Sequence, residues 1–204
     1  SIGAKLVANL LTTAGADRIV TLDLHAGQIQ GFFDIPLDHL WGKSIFLPYL
    51  ESLGLDNLAV ATPDAGGAKR AREYATMLKS DLILIDKFRE RANQVASMKV
   101  IGEVEGKNVL IVDDLVDTAG TLSKAADLLI REGAASVRAV VTHSVLSGPA
   151  YERIAGSQLT ELITTNTIPA KQKSDKIKVL SVAPLMANAF DRIVNFESIS
   201  TLFT

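Results

Sequence analysis

The sequence predicts an α/β protein whose parallel sheet is covered by helices on both faces. Short apolar runs typical of strands alternate with stretches of helical spacing along most of the chain. Strands that alternate with helices are joined by crossovers, which lay the helices against a parallel sheet. With 204 residues, 48% of them hydrophobic, the chain can bury one good core and has room for one domain or two small ones.

The predicted elements follow one another in a regular order. Strands are predicted at 20–25, 58–62, 82–85, 109–112, 137–142, 162–165 and near 179. Helices are predicted at 3–11, 41–53, 68–79, 121–132, 151–154 and from 184. Gly133 ends the fourth of these helices. A polar stretch follows residue 85, and the strand–helix pattern then repeats.

Candidate site residues stand at the ends of predicted strands. They are His25, Asp64, Lys87 and Asp113. In sheets of this kind, ligands bind beyond the carboxyl ends of the parallel strands. We therefore expect these four side chains to meet at one edge of the sheet.

The segment from Asn108 to Thr121 carries the most chemical information. An apolar strand ends in Asp113 and Asp114, and a turn of small residues then opens a helix at Gly120. Such a turn can aim several backbone N–H groups and two threonine hydroxyls at one phosphate, and the helix N-terminus adds partial positive charge. The ionised carboxylates only accept hydrogen bonds, so they suit sugar hydroxyls or a cation-bound oxygen. The segment therefore predicts a site for a phosphorylated sugar.

Simpler interpretations exist for this segment and for a similar-looking one. Asp117 or Thr118 could be an ordinary helix N-cap. Residues 42–44, Gly-Lys-Ser, resemble the end of a nucleotide-binding P-loop. The earlier glycine of that motif falls at Leu37, however, and no strand is predicted to lead into it. The P-loop interpretation is therefore rejected.

The other candidates also have purely structural explanations. His25 could be a strand-end histidine, and Asp64 could belong to a tight turn in which glycine supplies a positive φ. Lys87 lies in a polar stretch with two arginines, and such charge clusters usually form solvated surface. The residues by themselves leave these alternatives open.

The composition excludes several classes of function. The net charge is -2, from 21 Lys and Arg against 23 Asp and Glu, and no block of like charges indicates nucleic-acid binding. No apolar run approaches the roughly 18 residues of a membrane-spanning helix. The chain has no cysteine, which excludes disulfides, thiolate catalysis and cysteine-ligated zinc and fits a cytoplasmic enzyme.

The segment from Asn108 to Thr121 resembles the phosphoribosyl-diphosphate binding loop of the type I phosphoribosyltransferase fold. Four further stretches, at 23–33, 63–70, 87–93 and 147–150, are similar in this order to the ribose-phosphate pyrophosphokinase family. The resemblance runs from about residue 2 to the end of the chain. Five motifs in one order make it highly specific.

This resemblance implies transfer of the β,γ-diphosphoryl group of ATP to the 1-hydroxyl of ribose 5-phosphate, for nucleotide biosynthesis. It implies Mg²⁺ as cofactor, with His25 and Asp64 as metal ligands and with His25 and Lys87 at the ATP. Lys87 and Arg89 would be catalytic residues on a loop that closes over the transferring group. The residues implied to bind ribose 5-phosphate are Arg89, Asp113, Asp114, Asp117, Thr118, Ala119, Gly120 and Thr121.

The resemblance also implies two similar domains. Residues 41–194 would form the C-terminal phosphoribosyltransferase-like domain, and residues 1–40 with the tail 195–204 would be a remnant of the N-terminal one. The chain starts without Met in a helical stretch, so we interpret it as part of a longer protein. The upstream part would supply most adenine contacts, partly across a subunit interface, in a homo-oligomer of dimers that assemble into a hexamer.

Two other classes remain as alternatives. A phosphoribosyltransferase would consume the product instead, and it would need a hood that recognises a base, which the sequence does not indicate. A non-catalytic regulatory relative would keep the fold but lose the loop or the carboxylates. Because Lys87, Arg89, Asp113 and Asp117 are all present, an enzyme is favoured.

Overall fold

The computed structural model describes residues 2–88 and 97–202, which form two compact units. The first unit consists of Ser1–Ser44 with Ala183–Thr204, and the second is Ile45–Val182. The division predicted from the sequence had its boundaries at 41 and 194, so it assigned the helix after residue 182 differently. The correspondence of these units to two domains of a longer protein stays a prediction.

The elements alternate as the sequence predicts. The helices are α1 Ile2–Thr13, α2 Lys43–Ser52, α3 Ala68–Met77, α4 Gly120–Arg131, α5 Ala150–Gly156 and α6 Ala183–Val194. The strands are β1 Ile19–Leu22, β2 Leu37–Leu40, β3 Leu58–Thr62, β4 Asp81–Phe88, β5 Ser97–Ile101, β6 Asn108–Val116, β7 Ser136–Ser144, β8 Glu161–Thr165 and β9 Ile177–Leu180. Every described helix is too short or too polar to cross a membrane.

The first unit contains a small parallel sheet of β1 and β2, which pair from Ile19↔Leu37 to Leu22↔Leu40. Strand β1 ends at Leu22 rather than at residue 25, because Asp23 takes a positive φ of 43° and turns the chain. Strand β2 was not predicted. It directly precedes residues 42–44, but the missing glycine at residue 37 still excludes a P-loop.

The second unit is built on a sheet of seven strands in the order β5-β4-β3-β6-β7-β8-β9. All neighbours are parallel except β4 and β5, so the predicted α/β class with a mostly parallel sheet is confirmed. The order of strands switches sides between the parallel neighbours β3 and β6: the chain continues from β3 to β4 on one side and from β6 to β7 on the other. Ligands in open α/β sheets bind at such a switch point.

Alternate residues of β6 hold the helices on the two faces of this sheet. Val109 and Ile111 belong to the core cluster that contains α4 and α5, whereas Leu110 and Val112 belong to the cluster that contains α2 and α3. Side chains of a strand alternate between faces, so one apolar run serves both clusters.

Strand β4 is longer than the predicted 82–85 and pairs with a strand that was not predicted. Its first half pairs with β3 as far as Leu84, and its second half, to Phe88, pairs only with β5. Lys87 therefore lies within an antiparallel ribbon, opposite Met98, and its predicted place in a polar stretch beyond a strand is wrong. Met98 and Val100 pack on the core, which gives β5 the alternating apolar face that the prediction overlooked.

Strand β6 also runs further than the predicted 109–112. Its neighbour β7 continues the ladder, with Asp113 opposite Val141 and Leu115 opposite His143. Asp113 and Asp114 therefore lie inside the strand, and their side chains leave it on opposite faces. Helix α4 begins at Gly120, as predicted.

Candidate functional site

A pocket of about 240 Å³ lies at the switch point of the second unit. Its lining includes Asp64 from the connection between β3 and α3, Asp113 of β6, and all residues from 115 to 122, which run from the end of β6 into the first turn of α4. We call residues 63–67 the β3–α3 turn and residues 117–121 the β6–α4 turn. The predicted phosphate-binding residues thus surround one cavity beyond the carboxyl ends of β3 and β6.

The β6–α4 turn has an unusual backbone conformation. Ala119, the residue before α4, takes the left-handed conformation with φ 57° and ψ 9°, and no side chain caps the helix. The interpretation of Asp117 or Thr118 as an ordinary N-cap is therefore wrong. A left-handed residue directly before a helix is typical of backbone nests that bind anions, and it costs a non-glycine residue roughly 1 kcal/mol.

The turn is held from outside by the segment that follows β7. Ser147 Oγ donates to Asp117 Oδ1, and Ser147 N–H donates to the Asp117 carbonyl at 3.1 Å. Arg153 Nη1 on α5 donates to the Thr118 carbonyl at 3.0 Å. Ser147 lies in the stretch 147–150 that was identified from the sequence. Arg153 was not identified, because a contact across 35 residues leaves no local pattern in the sequence.

The two neighbouring aspartates have different surroundings. Asp113 lines the pocket, whereas Asp114 is 5% exposed and accepts a hydrogen bond from Arg70 Nη1 at 2.7 Å. The same Nη1 lies 3.7 Å from Asp113 Oδ1. This arrangement favours Asp113 over Asp114 for direct contact with a ligand, with Arg70 and Asp114 as the charged pair behind it.

Asp113 is easier to protonate than an ordinary carboxyl. Burial is the largest cause and raises its pKa from 3.8 to about 7. The Asp114 N–H donates to Asp113 Oδ1 at 2.9 Å and opposes the rise, whereas the negative charges of Asp114 and Asp64 add to it. With a pKa of about 7, Asp113 is only partly ionised near neutral pH, whereas the sequence analysis expected an ionised carboxylate.

The β3–α3 turn is stabilised by its own carboxylate. Asp64 Oδ1 accepts hydrogen bonds from Gly66 N–H at 2.9 Å and from Gly67 N–H at 3.2 Å. Neither glycine has a positive φ, so that explanation of the turn is wrong. Gly67 is needed for space instead, because a Cβ there would overlap Thr62 Oγ1 at the end of β3.

The ribbon of β4 and β5 brings Lys87 to the β6–α4 turn. Lys87 Nζ donates to Thr121 Oγ1 at 3.4 Å across 34 residues of sequence. The contact joins Lys87, which the sequence predicted to be catalytic, to Thr121, which it predicted to bind the phosphate.

Two other predicted site residues are Arg89 and His25. Arg89 lies outside the described residues, and His25 is an exposed residue of the first unit. Within 2–88 and 97–202, no group of three or more His, Cys, Asp or Glu side chains could hold a metal ion. The metal role of His25 and Asp64 therefore stays a prediction.

The mostly parallel sheet, with an uncapped turn and a left-handed residue at its switch point, defines an open α/β protein. The family described as phosphoribosyl synthetase-associated domain matches residues 88–204, and the chain belongs to this family. The resemblance identified from the sequence is thereby confirmed.

Individual relatives agree with this assignment. The chain is 54% identical over 202 residues to a ribose-phosphate pyrophosphokinase of Wolinella succinogenes and 52% identical over 204 residues to one of Porphyromonas gingivalis. These alignments cover 99% and 100% of the chain but 65% of each relative. The crystal structure of phosphoribosylpyrophosphate synthetase from Mycobacterium smegmatis matches with a TM-score of 0.89 and 41% identity, over 96% of this chain and 64% of that one.

Proposed function

We propose that this chain is the ribose 5-phosphate-binding part of a ribose-phosphate diphosphokinase. The reaction transfers the β,γ-diphosphoryl group of ATP to the 1-hydroxyl of ribose 5-phosphate and gives phosphoribosyl diphosphate and AMP, in the cytoplasm, for nucleotide biosynthesis. The observation that carries the proposal is the contact of Lys87 with Thr121, because it joins a cationic side chain to a turn built for a phosphate. The similarity to ribose-phosphate pyrophosphokinases supports it.

Each end of the pocket suits one end of ribose 5-phosphate. The β6–α4 turn offers backbone N–H groups, the hydroxyls of Thr118 and Thr121 and the N-terminus of α4 to the 5-phosphate. Asp113, in its ionised form, accepts hydrogen bonds from ribose hydroxyls. Asp114 assists through Arg70, which faces both carboxylates.

The chemistry then depends on positioning and charge. The 1-hydroxyl oxygen forms a bond to the β-phosphorus, the bond from that phosphorus to the AMP oxygen breaks, and the hydroxyl proton is released. Negative charge on the transferring oxygens is stabilised by Lys87 and, in this proposal, by Arg89. Both residues act as fixed positive charges and need no proton transfer.

The carboxylates in the pocket suit a hard divalent cation. Repulsion from Asp64 and Asp114 contributes to the raised pKa of Asp113, so a cation near Asp64 and Asp113 would relieve an existing excess of negative charge. Mg²⁺ is usually held by one or two carboxylates together with substrate phosphates. When bound, Mg²⁺ neutralises charge on the phosphate oxygens. We propose Asp64, with His25, as its protein ligands.

Release of AMP tests the proposed reaction. The intact protein, mixed with ATP, Mg²⁺ and ribose 5-phosphate, is expected to form AMP and phosphoribosyl diphosphate in equal amounts. A phosphoribosyltransferase would instead consume phosphoribosyl diphosphate when given a base, and a regulatory relative would do neither. The proposal includes assembly of dimers into a hexamer, which the mass of the native protein in solution tests.

A further inference from the structure

Arg153 is a cationic residue at the β6–α4 turn that has no role in the proposed reaction as described above. It is exposed, lies on α5, and its Nη1 donates to the Thr118 carbonyl at 3.0 Å. A Cβ placed on Gly120 would lie 3.2 Å from the same Nη1. The guanidinium therefore lies against the turn on both sides of Ala119.

This contact fixes the peptide group that precedes the left-handed residue. The Thr118 carbonyl and the Ala119 N–H belong to one trans peptide, in which the two groups point in opposite directions. Arg153 is not among the residues that line the pocket, and its bond to the carbonyl leaves the N–H of Ala119 pointing away from the guanidinium. A donor bound to the carbonyl oxygen thus orients the N–H on the other side of the same peptide.

Helix α5 is a firm support for this side chain. Ile154, next to Arg153, is fully buried in the core. At the end of the helix, Lys176 Nζ donates to the carbonyls of Ala155 at 3.1 Å and of Ser157 at 2.7 Å. The Tyr151 hydroxyl accepts the N–H of Lys171 at 3.0 Å. Arg153 therefore extends from a short helix that is anchored at several points.

The positive charge of Arg153, like its hydrogen bond to the turn, favours binding of a phosphate. The pocket contains the carboxylates of Asp64, Asp113 and Asp117, which repel a phosphate. Lys87 offsets them from the side of β4, and the Arg153 guanidinium offsets them from the side of α5. Removing the Arg153 guanidinium leaves the turn less favourable for a dianion.

We infer that Arg153 is a positioning residue for the sugar phosphate, which sets the Ala119 N–H and lowers the negative potential of the turn. This inference rests on the proposed function. It predicts a specific effect on ribose 5-phosphate, because among the described residues of the pocket Arg153 contacts the β6–α4 turn.

The test compares Arg153→Gln and Arg153→Lys with Arg131→Gln, an exposed arginine at the opposite end of α4. For Arg153→Gln we expect the Kd and the KM of ribose 5-phosphate to rise about tenfold, with the KM of ATP and the unfolding midpoint unchanged. Arg153→Lys keeps the charge but loses the planar fork, so it should show a smaller rise. Arg131→Gln should resemble the parent protein.

Other outcomes separate this inference from the proposed function. An unchanged KM for ribose 5-phosphate, or an equal rise for both substrates, would overturn the role of Arg153 while parent activity upholds the reaction. A parent protein that does not bind ribose 5-phosphate would overturn the proposed function and this inference with it. If Arg153→Gln also lowers the unfolding midpoint, the inference is tested with Arg153→Lys instead. Its KM for ribose 5-phosphate should then rise relative to its KM for ATP, and an unchanged ratio would overturn the role of Arg153.

Discussion

The two strand–turn–helix connections at the switch point stabilise their backbones in opposite ways. In the β3–α3 turn, the carboxylate of Asp64 accepts the backbone N–H groups of Gly66 and Gly67. In the β6–α4 turn no side chain caps the helix, and Ser147 and Arg153 hold the turn from outside through Asp117 and the Thr118 carbonyl. The first turn thus presents a carboxylate to the pocket and suits a cation, whereas the second presents N–H groups and suits an anion.

The largest expected effect concerns the lysine that serves the anion-type turn. Lys87→Ala should lower the turnover number about 100- to 1,000-fold, because its charge matters most when the transferring oxygens are most negative. Both KM values should stay within about twofold of the parent. Lys99→Ala, on the exposed side of neighbouring β5, is the matched control and should keep parent activity. An unchanged turnover number for Lys87→Ala would mean that Lys87 is an ordinary solvated surface residue with no catalytic role.

A second change tests the self-capped turn. Gly67→Ala should lower the free energy of unfolding by about 2–3 kcal/mol, because the new Cβ would overlap Thr62 Oγ1 at the end of β3. Gly66→Ala is the control: its Cβ would lie 3.2 Å from Asp64 Oδ1, the end of a side chain that can shift. Urea unfolding measures both. Equal losses would mean that space at Gly67 does not define this turn.

A third change tests whether the β6–α4 turn binds ribose 5-phosphate selectively. Thr121→Ala should weaken ribose 5-phosphate binding by about 1–2 kcal/mol and leave ATP binding unchanged, since the lost hydroxyl belongs to the phosphate end. Ser123→Ala, on the same helix, is a suitable control because Ser123 Oγ has no hydrogen-bond partner among the described residues. Calorimetry on the intact protein gives both affinities. If ATP binding weakened equally, the turn would not be selective for the sugar phosphate.

The last effect is a pH dependence that arises between the turns, at Asp113. Its pKa rises from 3.8 to about 7 on folding, so between these values the native state binds more protons than the unfolded state. The carboxyl therefore makes the protein less stable as pH rises from about 4 to about 7, and the loss persists above that. Asp113→Asn removes the ionisable carboxyl and with it this loss of stability. The variant should therefore be more stable than the parent at pH 8, by about 1 kcal/mol or more.

Unfolding curves measured from pH 4 to pH 8 check this prediction. The difference between the parent and Asp113→Asn should grow through this range and level off above pH 7. Asp56→Asn, an exposed carboxyl of the same unit, should run parallel to the parent. Parallel curves for Asp113→Asn would mean that the pKa of Asp113 is not raised.

The sequence predicted the parts of the fold that depend on local pattern. The strands near 58–62 and 109–112 and the start of α4 at Gly120 were found because apolar runs and helical spacing mark them directly. The edge strand β5 was missed because its neighbours in sequence are polar and its pairing partner is β4, not a local repeat. The extension of β6 through Asp113 and Asp114 was missed for a similar reason, since pairing with β7 overrides their low strand propensity.

The site was predictable in its residue types but not in its supports. Asp64, Asp113 and the β6–α4 turn were identified, and they line one pocket. The left-handed conformation of Ala119 could not be inferred, because alanine does not favour it. Arg153 and Arg70 act through tertiary contacts to Thr118 and Asp114, and such contacts exist only once the sheet has been assembled.

The ribbon of β4 and β5 makes strand register a determinant of the chemistry. Beyond Leu84 the four residues to Phe88 project about 13 Å past the pairing with β3, so Lys87 is carried on two strands alone. Side chains alternate between faces along β4, so a shift of one residue between β4 and β3 would turn Lys87 to the opposite face of the ribbon, away from Thr121. The register of β4 with β3 therefore decides on which side of the ribbon the positive charge lies.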